Sequence, residues 1–68
     1  MTVDSLTVRL GILTRAELES VSPAEQQIIE DSTMGLRRQY PPSWFGRETS
    51  RLRWELQLAY GVTLANPV

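Results

Sequence analysis

The residues with the clearest capacity for chemistry lie near the C-terminus and comprise Arg47, Arg51, Trp54 and Leu58. They recur every three or four positions, so on a helix they share one face. Tryptophan and arginine are the residue types most enriched at protein–protein hot spots. The pattern therefore predicts a partner-binding surface. The competing interpretation is that Trp54 packs under the N-terminal helix and belongs to the core.

Two further features are candidates for partner binding. Three of the five aromatic residues fall within positions 40–46, where Pro41 and Pro42 stop a helix and predict a rigid corner. Trp44 and Phe45 are then either part of a docking edge or, as we prefer, side chains that close the core. Met34 falls on the polar half of a predicted helix, where a methionine can serve as an adaptable contact.

Charge is distributed unevenly along the chain. Residues 1–31 carry six acids and two arginines, a net charge of −4, and residues 32–68 carry five arginines and two glutamates, a net charge of +3. A nucleic-acid-binding regulator is therefore an alternative, with Trp44 stacking on bases and a phosphate-binding face of Arg37, Arg38, Arg47, Arg51 and Arg53. Because Glu48 and Glu55 interrupt this face, we prefer salt bridges to the acidic half. A third possibility is a small inhibitor whose acidic half mimics another ligand.

Catalysis is not expected from this composition. The chain has no histidine, cysteine or lysine, and no spacing pairs its hydroxyls and carboxylates into an activated arrangement. The sequence predicts no enzyme activity, no cofactor and no small-molecule substrate, and it rules out disulfides.

The positions of these residues depend on the helices that the sequence predicts. Thr14 to Glu17 and Ser22 to Glu25 have the form of capping boxes, the second with Pro23 at the first helical position. Gly11 and Gly61 are placed to end helices. The predicted helices run from about Asp4 to Leu10, Arg15 to Ser20, Pro23 to Tyr40 and Arg47 to Tyr60, the last capped by Ser43 or Gly46. Alternation of Leu6, Val8, Leu10 and Ile12 leaves a strand as the competing interpretation of the first.

These elements predict an all-α fold in a single small domain spanning residues 1–68. Two long helices would form an antiparallel hairpin across the Pro-Pro corner, with the short N-terminal helices packed beside them. Residues 62–68 would form an extended tail and a second contact. A chain of 68 residues buries only about 60% of its surface, so we expect a larger complex to stabilise it. With neither a signal peptide nor a membrane span, we expect it in the cytoplasm or within an assembly.

The first 40 or so residues also resemble the start of head–tail connector or adaptor proteins of tailed phages. The resemblance rests on a short helix from Asp4 to Gly11 that ends in Leu-Gly, followed by an acidic capped helix containing Ile28 and Ile29. The corner at residues 41–45 is not part of that pattern. The resemblance implies a small helical protein wedged between larger rings, in a virion or a similar assembly.

Overall fold

Four helices account for most of the chain in the computed structural model, which describes residues 4–65. They are α1 (Leu6–Arg9), α2 (Arg15–Glu19), α3 (Pro23–Gln39) and α4 (Pro42–Tyr60). No residue from 4 to 65 is in a strand, so the helical interpretation of the N-terminal stretch is confirmed. The all-α prediction is confirmed as well, with the two long helices packed against each other.

Local hydrogen bonds explain where the helices begin and end. Both predicted capping boxes are present, with the hydroxyls of Thr14 and Ser22 accepting hydrogen bonds from the N–H groups of Glu17 and Glu25. Gly11 and Gly61 have φ angles of 78° and 70°, the left-handed conformation that glycine adopts after a helix. These signals act over a few residues, which is why the sequence reveals them.

The predicted start of α4 is wrong. The helix begins at Pro42 and not near Arg47, so neither Ser43 nor Gly46 is its cap. Proline at the first helical position lacks an N–H group that would have no helical partner there, and its ring fixes a helical φ. The corner is therefore only Tyr40 and Pro41, both extended, with ψ angles of 146° and 162°.

Eight buried apolar side chains form one cluster, to which α2, α3, α4, the loops and the C-terminal end contribute. Phe45 and Leu52 of α4 meet Ile29 of α3 there, with the remaining members contributed by the loops, α2 and the C-terminal segment, namely Ile12, Leu13, Leu18, Val21 and Val62. Residues 61–65, here called the C-terminal segment, pack along the core from Val62 onward. The predicted tail residues 66–68 lie outside the described part.

Polar contacts join α1 to α3. The Glu30 carboxylate accepts hydrogen bonds from the Ser5 hydroxyl and from the N–H groups of Leu6 and Thr7, at 3.0 and 3.1 Å for the two amides. The buried hydroxyls of Thr7 and Thr33 lie 2.8 Å apart. Glu30 thus satisfies the first amides of a four-residue helix that would be too short to persist alone.

Candidate functional site

The side of α4 that faces away from the core carries the predicted partner-binding residues. Trp54 and Leu58 are 59% and 72% exposed. Arg47 and Arg51 are exposed on the same side, because the spacings of four, three and four residues keep all four side chains on one face. We call these four residues the outer face of α4. The structure therefore brings together the four residues that the sequence pattern selected.

Arg51 is held in place on the outer face. Its guanidinium donates hydrogen bonds to Glu48 at 2.8 Å and to Glu55 at 3.0 Å, and it lies 5.9 Å from the ring centroid of Trp44. The two carboxylates raise the pKa of Arg51, with the hydrogen bond to Glu48 as the largest cause. Arg47 makes no hydrogen bond or ion pair within residues 4–65. One arginine of the face is therefore oriented and the other is available.

The other partner-binding candidates lie elsewhere. Phe45 is completely buried in the core, which leaves it no surface for a partner. Trp44 is half-buried at the corner, stacked on Tyr40 with ring centroids 4.1 Å apart and against the edge of Phe45 at 5.0 Å. Met34 is 43% exposed, but it lies on α3, next to the buried Thr33, and so is separate from the outer face of α4.

The five arginines of the phosphate-binding alternative have different surroundings. Arg37 and Arg38 are exposed at the end of α3, where Arg37 donates to the Tyr40 carbonyl at 3.1 Å. Arg47 and Arg51 belong to the outer face. Arg53 points the other way and is engaged inside the protein. The structure thus divides the five predicted arginines among three locations.

Arg53 is part of a buried cluster that the sequence spacing did not reveal. Its two terminal nitrogens donate to the two oxygens of Glu17, at 2.6 and 2.8 Å, and Glu17 is 3% exposed. Glu17 also accepts from the backbone N–H groups of Thr14, at 2.8 Å, and of Ala65, at 2.5 Å. We call Glu17, Arg53, Thr14 and Ala65 the Glu17 cluster. It ties α2, α4 and the C-terminal segment together.

Electrostatics explain why Glu17 is charged although it is buried. The hydrogen bond from Arg53 lowers the pKa of Glu17 to about 2, and the two backbone N–H groups act in the same direction against the effect of burial. For Glu30, burial raises the pKa, but hydrogen bonds from Ser5, Thr7 and Leu6 outweigh it and leave that pKa below its ordinary value. Both carboxylates are structural groups with satisfied oxygens.

A shallow depression borders the outer face. It has a volume of about 310 Å³ and is lined by Ser50, Arg53 and Trp54 of α4 and by Leu64 and Ala65 of the C-terminal segment. A second groove, of about 210 Å³, lies on the opposite side of α4, between α3 and α4, where Leu36, Leu52 and Leu56 line it. Only the first depression adjoins Trp54.

The described residues contain no cluster of three or more potential metal ligands. Within the same residues, no helix combines the length and the apolar character needed to cross a bilayer. Comparison of the chain with protein-family models, curated proteins and solved structures finds no match. The chemistry of the outer face is therefore the basis for a functional proposal.

Proposed function

We propose that this protein is a small, non-enzymatic interaction or assembly module that binds another protein through the outer face of α4. The observation that carries the proposal is the exposure of Trp54 and Leu58 side by side on a helix whose opposite side already supplies the core. Exposed single apolar residues are common, but two large ones together, flanked by arginines, are typical of an interface centre.

The energetics of the face support binding. Burying a side chain such as Leu58 is worth roughly 1.5–3 kcal/mol relative to leaving it exposed. Arg51 is already oriented by Glu48 and Glu55, so less side-chain freedom is lost when a partner contacts it. The face thus combines apolar anchors with a pre-organised cation.

The depression beside Trp54 supports the same proposal, because a partner side chain can enter it. Its far wall is Leu64 and Ala65, and the Ala65 N–H is bonded to Glu17. The Glu17 cluster therefore positions the C-terminal segment against α4. We propose this segment as the second contact that the sequence predicts for residues 62–68, of which the structure describes 62–65.

The distribution of charge along the chain supports a role in a larger assembly. Excess acid in residues 1–31 and excess arginine in residues 32–68 can orient a module between two different neighbours. The resemblance of the first 40 residues to head–tail adaptors suggests the kind of assembly. We propose a location in the cytoplasm or within a virion on the same grounds.

The two alternatives have less support. Arg53 is committed to Glu17, and Arg51 is shared between two carboxylates, so the proposed phosphate-binding face is both divided and partly neutralised. The inhibitor alternative has less support because two acids of the N-terminal half, Glu17 and Glu30, make hydrogen bonds within the fold and are not free to mimic another ligand.

The test is co-purification of the tagged protein from its native host, with mass spectrometry of what is retained. We expect Trp54→Ala to lose the partner while its helical circular dichroism is unchanged. Ile28→Ala is the matched control, because it shortens an apolar side chain that is 48% exposed on α3. Retention of the same partner by Trp54→Ala would place the interface elsewhere, and unfolding of the variant would make Trp54 a core residue.

A further inference from the structure

The residues of the outer face are complementary to themselves when two copies of α4 lie antiparallel. Position 51 of one copy lies opposite position 54 of the other when a twofold axis passes midway between them. Positions 47 and 58 are centred on the same point of the sequence as positions 51 and 54. The same axis therefore sets Arg47 opposite Leu58 of the second copy. One register therefore pairs every arginine of the face with an apolar residue of the second copy.

These pairings are chemically favourable. The guanidinium of Arg51 is engaged by Glu48, Glu55 and the Trp44 ring, which leaves the aliphatic stem of Arg51 to cover the ring of Trp54 in the second copy. The stem of Arg47 covers Leu58 of the second copy, and its charged end reaches the last turn of that helix. That turn contains no basic residue of its own, so a cation there complements the helix dipole.

Charge also selects the antiparallel arrangement over the parallel one. A parallel pair would set Arg47 and Arg51 opposite their own copies. In the antiparallel pair Arg47 lies one helical turn from Glu55 of the second copy, within reach of a long side chain, and the contact occurs twice. Arg47 has no other hydrogen bond or ion pair within residues 4–65 and is available for it.

We propose that the partner bound by the outer face is a second copy of this chain, joined in a symmetric antiparallel α4–α4 dimer. The inference rests on the proposed function, since it names the protein that the same surface binds. Each copy contributes one helix face, so the area buried per copy should be below the roughly 800 Å² per partner of a standard interface. The dimer should therefore be weak and concentration-dependent.

The wild-type protein gives the first test. Sedimentation equilibrium over a series reaching millimolar concentration should show the mass rising from monomer toward dimer. A monomer mass across the whole series overturns the proposal. In that case, loss of a captured partner in Trp54→Ala would still support a different protein as the ligand, so the two proposals fail separately.

Charge reversal gives the second test. Arg47→Glu and Glu55→Arg each set like charges opposite each other twice, so each alone should weaken the dimer about tenfold or more. An equal mixture of the two variants should restore association to near the wild-type level, because both contacts become attractive in the mixed dimer. Circular dichroism confirms folding of each variant. Dimerisation of either variant at the wild-type level, or no recovery on mixing, would overturn the register.

Discussion

Arg51 and Arg53 lie two residues apart on α4, and both bind carboxylates, yet their surroundings differ. Arg53 makes a bidentate pair with Glu17, and its side chain is 19% exposed. Arg51 makes two single contacts, with Glu48 and Glu55, and its side chain is 53% exposed. One helix therefore has a side that holds the fold together and a side that does not.

The two arginines differ in whether water can replace their contacts with carboxylates. Water readily solvates Arg51 and its partners if their contacts break, so surface pairs of this kind contribute little to stability. Glu17 is buried, and a guanidinium left without its carboxylate there has few other acceptors. The inner side of α4 is thus constrained by folding, whereas the residues of the outer face are open to selection for binding.

The largest expected effect comes from Glu17→Gln, which keeps the shape of the side chain and removes its charge. Breaking a buried pair by neutralising one partner typically costs about 3–5 kcal/mol, and the Ala65 and Thr14 amides also lose a charged acceptor. Urea unfolding followed by circular dichroism measures the loss.

Glu55→Gln is the matched control, because it makes the same change in a partner of Arg51. We expect it to alter the free energy of unfolding by less than about 0.5 kcal/mol. Equal losses in the two variants would show that the two sides of α4 do not differ in the way proposed.

Acidification should weaken the inner side of α4 through Glu17. The folded-state pKa of Glu17, about 2, lies below its ordinary value of 4.5, so its contribution is fully present above pH 4.5 and is lost as pH falls toward 2. A shift of this size corresponds to about 3 kcal/mol. Glu30, whose pKa is also lowered, adds to the loss in the same direction.

Urea unfolding at a series of pH values from 7 to 2 measures this dependence. The wild type should lose stability steeply below pH 4.5, and Glu17→Gln should show a flatter profile, with the remaining slope due mainly to Glu30. A variant profile parallel to that of the wild type would contradict the assignment of the acid sensitivity to Glu17.

The sequence predicted the local features of the fold and few of the distant ones. The capping boxes at Thr14 and Ser22 and the terminal glycines involve neighbouring residues, so their patterns are visible in the chain. The Glu17–Arg53 pair joins residues 36 positions apart, and Glu30 caps a helix 23 to 25 positions earlier. Such partners follow from the packing of helices and have no sequence spacing.

For the candidate site, too, the sequence predicts the local grouping of residues but not their exposure. Helical spacing was sufficient to group Arg47, Arg51, Trp54 and Leu58, but their exposure depends on where α3 packs. The same limit explains Ile28, an apolar residue of α3 that is 48% exposed. Whether Phe45 is buried or exposed depends on where α4 begins. A helix that starts at Pro42 turns this side chain toward the core, whereas the predicted start near Arg47 leaves Phe45 outside the helix.

The smallest expected effect on stability is that of Leu58→Ala on the outer face. Leu58 is 72% exposed, so its truncation should change the free energy of unfolding by no more than about 0.5 kcal/mol, measured at low concentration to keep the chain monomeric. Leu52→Ala is the matched control, since it makes the same change six residues earlier on the buried side, where about 2–5 kcal/mol is typical. A large loss for Leu58→Ala would mean that the outer face supports the fold of the monomer. It would then no longer be a surface kept for a partner.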